Sequence, residues 1–178
     1  MKRAYTPLFL LVSLLLFTML SSTLTAGEAK SAIKPLPNKL PVAIGETTPA
    51  GWLDDYNVAV KLARDTNRPL LVFFTGSDWC GWCKKLRKDV LDTPAFKAFA
   101  AKNLVMLYVD SPSRIKLPAN LQRQNQGLAM MLRHTGGVPN TKLYDFKGKK
   151  IGEIPGYSKR FQQEIIKFME ASGFKVVE

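Results

Sequence analysis

An α/β layer fold with a mixed sheet of four or five strands is predicted by three features of the sequence. Two short apolar runs, 70–74 and 104–109, have the length and continuity of strands buried on both faces. Apolar residues at helical spacing fill the stretches before, between and after them. A glycine-containing turn at 145–149 separates two further strand-like runs, as in a hairpin.

The chain has 178 residues, a net charge of +12 and two cysteines. Lys2 and Arg3 precede a nearly unbroken apolar stretch at 8–20. That stretch falls short of the roughly 20 residues of a spanning helix and has the pattern of a secretory signal. Small residues at 21–26 place cleavage after Ala26, and an uncleaved membrane anchor is the alternative. Cleavage leaves 152 residues with a charge of +10. Residues 27–50 contain Pro35, Pro37, Pro41 and Pro49, lack apolar periodicity and are read as a tether. Residues 51–178 are then one domain, long enough to bury a core without disulfide staples.

The elements follow in order. Trp52, Tyr56, Ala59, Val60 and Ala63 repeat at helical spacing, with Asp54 and Asp55 expected in the first turn, and Asn67-Arg68-Pro69 ends that helix. The first apolar run is a strand. A helix opens at Cys80, with Leu86, Val90 and Leu91 on its inner face, and Thr93-Pro94 caps a second helical piece. The second apolar run is a strand, 111–117 a loop, and Leu121, Leu128 and Leu132 mark a helix that Gly127 weakens. Runs 141–144 and 150–154 form the hairpin. Ser158 is expected to cap a last helix carrying Phe161, Ile165, Phe168 and Met169, which Gly173 ends. A strand–helix–strand unit requires a parallel crossover, and the hairpin adds antiparallel strands.

Both cysteines lie in Cys80-Gly81-Trp82-Cys83. A pair at i and i+3 on the first turn of a helix can close a small disulfide, and the first thiol meets the unpaired N–H groups that favour a thiolate. Lys84 and Lys85 add positive charge nearby. Cys80 is therefore the expected nucleophile and Cys83 the resolving thiol. A purely structural disulfide across so short a loop gains little entropy, and a zinc site lacks ligands, since His134 is the only histidine. A two-thiolate copper site stays open at this stage. His134 is expected at a helix end on the surface, and Trp52 in the core. Nucleic-acid binding is disfavoured, because no aromatic residues interleave with the lysines of the hairpin.

The segment 73–86, with its Trp79-Cys80-Gly81-Trp82-Cys83 centre, resembles the active-site segment of the thioredoxin-like superfamily. Gly136-Gly137-Val138-Pro139 resembles the loop whose cis-proline faces the cysteine pair. The likeness spans residues 50–172, and with the signal-like N-terminus it is similar to exported bacterial thiol–disulfide oxidoreductases, including disulfide reductases of the chlamydial type. The resemblance implies a three-layer thioredoxin-like fold, a redox pair at Cys80 and Cys83, and substrate contacts at Trp79, Trp82, Val138 and Pro139. It implies no cofactor and no metal. It further implies a periplasmic location, exported disulfide-containing proteins as substrates and a membrane-bound electron donor. Isomerase activity, or a non-catalytic thiol- or metal-binding role, are the alternatives. Two departures stand out. The buried aspartate that thioredoxins carry six residues before the first cysteine is Phe74 here, and Gly81-Trp82 replaces their Gly-Pro.

Overall fold

The computed structural model describes Lys34, Leu36 and residues 45–178; the predicted signal, its cleavage site and much of the predicted tether lie outside them. The first helix, α1 (Tyr56–Thr66), starts later than its periodicity suggests. Asp55 is its N-cap, the carboxylate accepting from Val58 N, and Asn67 at φ 54° closes it. Asp54 is not in the first turn. It is buried ahead of the helix and accepts from Gly45 N at 2.7 Å and Thr48 Oγ1 at 2.9 Å. Trp52 and Leu53 also precede the helix. Leu53 donates to the Met106 carbonyl and accepts from Tyr108 N, a one-residue parallel bridge on the sheet edge.

The remaining elements keep the expected order: β1 (Leu70–Thr75), α2 (Gly81–Leu86), α3 (Pro94–Asn103), β2 (Val105–Asp110), α4 (Ala119–Met131), β3 (Asn140–Tyr144), β4 (Lys150–Pro155) and α5 (Phe161–Ala171). The sheet order is β2–β1–β3–β4, parallel between β1 and β2 and antiparallel elsewhere. β1 is central and buried throughout, which explains its unbroken apolar sequence. Its side chains alternate between two cores. Leu71 and Phe73 pack with Trp52, Leu86, Phe96, Tyr108 and Phe161 on one face, while Leu70, Val72 and Phe74 pack with Ala59, Leu107 and Leu128 on the other. Helices on both faces make three layers, and the outer strand β4 carries Lys150 and Glu153.

Three local details bear on the site. After Leu86 the helix widens into one π-helical turn (Arg87–Leu91), in which Asp92 N donates back to the Arg87 carbonyl. The five-residue turn brings Leu91 round to the same interior as Leu86, both fully buried. Thr93 then caps α3 as expected, with proline at the first turn. Ser158 does not cap α5: Arg160 occupies that position, and the Ser158 hydroxyl instead accepts from Arg160 N and donates to Glu164. Gly127 does sit inside α4, where a side chain would meet open space.

Candidate active site

The site forms where β1 ends and α2 begins. Gly76 turns the chain out of β1, and Cys80 is the N-cap of α2. Its sulfur accepts the Cys83 N–H at 3.1 Å, one of the donors that a helix start leaves without an intrahelical partner. The two cysteines form a disulfide, with Cα atoms 5.2 Å apart. Both are largely covered, Cys80 at 5% exposure and Cys83 at 1%. A thiolate left on Cys80 by reduction would keep that N–H and the helix N-terminus as its stabilising partners.

The loop before β3 closes the site from the other side. Val138–Pro139 is a cis peptide, and the Val138 carbonyl lies 3.5 Å from Cys80 Sγ. The fold thus brings together residues 58 positions apart along the chain. Two indoles flank the pair, Trp79 at 52% exposure and Trp82 at 61%. Trp79 is held by its Nε1–H, which donates to the Ser111 carbonyl at 2.8 Å. Trp82 packs against Tyr157, whose hydroxyl donates to Asp89 at 2.8 Å. Lys85 binds the same carboxylate and, with Tyr157, holds Asp89 below the usual aspartate range.

Two carboxylates that sequence reasoning did not assign tie these loops down. Asp110, at the end of β2, accepts from both Ser77 N (2.9 Å) and Ser77 Oγ (2.6 Å), fixing the turn ahead of Cys80. Asp78 accepts from the backbone N–H groups of Ser113, Arg114 and Ile115. An acid ending an otherwise apolar strand was the available signal for Asp110; the partners of Asp78 are distant in sequence and left none.

His134 follows α4, as expected, and is partly exposed. Its ring stacks on Phe74 at 4.3 Å between centroids, the two planes nearly parallel. Burial, with Lys142 nearby, pushes its pKa below the ordinary histidine value. Lys142, itself buried, donates to the Leu132 and Arg133 carbonyls and pins the end of α4 to β3. Phe74 and His134 line a cavity of about 520 Å³, together with Trp79, Ser111, Ile115 and Val138. Trp52 is a core residue, in contact with Phe73 and Tyr108. Among the described residues no group of three metal-ligating side chains gathers.

A helix-capping disulfide opposite a cis-proline loop, on a three-layer mixed sheet, is the arrangement of a thiol–disulfide redox centre. The thioredoxin-like family model matches residues 51–145. The chain belongs to the thioredoxin-like family. Within that family it is 34% identical over 101 residues to the disulfide bond reductase DsbH of Chlamydia pneumoniae, covering 57% of this chain and 60% of that protein. It is 36% identical over 77 residues to the thioredoxin-related protein DsbJ of the same organism, covering 43% of this chain and 22% of that protein. The matches therefore span less than two thirds of either curated relative. The solved structure of a DsbH oxidoreductase superposes with a TM-score of 0.62 at 27% identity, covering 77% of this chain and 94% of that one. The Cys80–Cys83 disulfide lies within the residues that the family model matches.

Proposed function

We propose that the protein is an exported, periplasmic disulfide reductase acting on disulfide-containing exported proteins. The observation that carries this reading is the placement of Cys80: its sulfur caps α2, accepts the Cys83 N–H and faces the cis-proline loop. The Cys80 thiolate attacks a substrate disulfide to give a mixed disulfide, and Cys83 resolves it, releasing the reduced substrate and restoring the Cys80–Cys83 bond. The Val138 backbone receives the substrate chain, and Trp79 and Trp82 bound the groove. A dithiol protein partner at the membrane returns two electrons and two protons to the pair. Similarity to a protein named as a disulfide bond reductase supports this direction of transfer. The signal pattern at 1–26 supports export, and no helix among the described residues is long and apolar enough to cross a membrane.

Two measurements test the proposal. Cys83→Ala is expected to accumulate mixed disulfides with exported proteins through Cys80; absence of Cys80-dependent adducts would overturn the catalytic reading. Equilibration with glutathione is expected to place the reduction potential toward the thioredoxin end of the family's range, about −270 mV, and a value near −120 mV would overturn the assignment as a reductase.

A further inference from the structure

Tyr157 lies outside the redox pair, yet three residues of the helical segment that carries the pair converge on it. Trp82 packs its indole against the Tyr157 ring, 5.7 Å between centroids. Lys85 Nζ lies 5.4 Å from the centre of the same ring. The Tyr157 hydroxyl donates to Asp89 Oδ2 at 2.8 Å, and Lys85 Nζ donates to that oxygen at 2.7 Å. Trp82, Lys85 and Asp89 follow one another by three and four residues, the spacing of neighbours on one helix face.

The backbone ahead of Tyr157 belongs to the other side of the site. Pro155 is the last residue of β4 and pairs with Asn140. Gly156 then turns at φ 76°, a conformation that favours glycine, and its N–H donates to the Pro139 carbonyl at 2.8 Å. Tyr157 is thus one residue from a bond to the cis-proline loop and in contact with the helix that carries the cysteines. It joins the two sides that face each other across Cys80. Trp82 has need of such a partner. It stands between the cysteines in sequence and is 61% exposed. An indole left to rotate in water would have to be ordered when substrate arrives, at the expense of binding. Trp79 is held by its bond to Ser111, and the Tyr157 ring does the same for Trp82.

We infer that Tyr157 is a positioning residue for substrate: it holds the Trp82 indole as a ready-made wall of the groove and so favours disulfides borne on a polypeptide chain over small ones. The inference rests on the reading of Cys80 as the attacking thiol and Trp82 as a wall of its groove. Tyr157 takes no part in the exchange of sulfurs. Asp89 and Lys85 fix the hydroxyl end of its ring, and the ring fixes Trp82. A small disulfide reaches Cys80 without lying along the wall and gains nothing from it. A peptide that runs past Cys80 lies along the wall and gains from its being ordered beforehand.

The test compares two substrates. Reduced full-length protein is mixed with a concentration series of a disulfide-linked peptide, or of hydroxyethyl disulfide, and single-turnover rates are recorded. With the peptide, Tyr157→Ala is expected to raise the half-saturating concentration about fivefold and to leave the limiting rate in place. With hydroxyethyl disulfide its rate stays within about twofold of the unmutated protein. Tyr157→Phe keeps the ring against Trp82 and is expected to recover most of the loss. Trp82→Ala is expected to show the same peptide-selective loss, and adding Tyr157→Ala to it to cost nothing more. An unchanged half-saturating concentration in Tyr157→Ala overturns the inference. So does equal loss with both disulfides, a Tyr157→Phe no better than Tyr157→Ala, or a further loss when Tyr157→Ala is added to Trp82→Ala. Mixed disulfide trapped by Cys83→Ala shows in each case that the catalytic reading stands and this inference alone has failed. If nothing is trapped and the unmutated protein reduces neither disulfide, both fall together.

Discussion

Trp79 occupies the space where a side chain at residue 76 would go. A Cβ on Gly76 would lie 2.3 Å from Trp79 Cε2, closer than any real contact of that kind. Glycine is thus required there by packing rather than by backbone conformation, and it sets one wall of the groove. Gly76→Ala is expected to push the indole off the Ser111 carbonyl. The cost should be about 1–3 kcal/mol by denaturant titration, as for other overpacked sites, with slower reduction of protein substrates. Retention of both the wild-type stability and the wild-type Trp79 environment, read by tryptophan fluorescence, would refute this account. Cys80 and Cys83 illustrate the same scale: chemically identical side chains three residues apart differ because one caps the helix and the other lies inside its first turn.

Among the elements, the middle of the loop at 111–117 is held by one carboxylate, Asp78. Desolvation pushes Asp78 up, but hydrogen bonds from Ser113, Arg114 and Ile115 outweigh it, so the net displacement is downward. A folded value below the unfolded one means that the stabilisation is complete above the unfolded aspartate value of about 3.9 and disappears as pH falls through the folded value. Acidification below about pH 4 is therefore expected to free this loop. The readout is loss of hydrogen-exchange protection at the amides of residues 113–115, and Asp78→Ala should show the same loss at neutral pH. Protection that persists in Asp78→Ala would show that other contacts hold the loop. The consequence is functional, because Ser111, at the base of this loop, also fixes Trp79.

For the whole molecule, the described residues ahead of Gly51 are fastened to the domain. Lys34 N donates to the Thr66 carbonyl, and the Lys34 carbonyl accepts from Arg68 Nε at 2.9 Å. Arg68 is buried, and its second bond goes to the Ala101 carbonyl, so it joins this segment to α1 and α3. Gly45 and Thr48 both serve the buried Asp54. A chain beginning at Gly51 loses these partners. It is expected to be less stable than one beginning at Lys34 by about 1–3 kcal/mol, the scale of a buried polar group deprived of its bonds. Thermal unfolding of the two chains compares them directly, and equal midpoints would refute the prediction.

The order of elements, the burial of β1 on both faces, the Thr93 cap, the hairpin and the place of the cysteine pair at a helix start were legible in the sequence. Each is local: apolar continuity, cap chemistry, turn residues and a four-residue motif act over distances shorter than one element. The start of α1 is not legible in the sequence, because Asp54 and Asp55 are equivalent as a sequence pattern. Only the contacts of Gly45 and Thr48 draw Asp54 inward and leave Asp55 to cap. Ser158 was assigned to α5 on the same local logic, whereas its hydroxyl serves Arg160 N and Glu164 instead. The resemblance pointed to Pro139, but its position against Cys80 depends on the antiparallel pairing of β1 with β3. The stacking of His134 on Phe74 and the backbone partners of Asp78 were invisible in the sequence. By itself the sequence determined that this protein places its two cysteines on the first turn of a helix. The tertiary structure alone decided what surrounds each sulfur, because those neighbours come from separate strands and loops that meet only when the sheet closes.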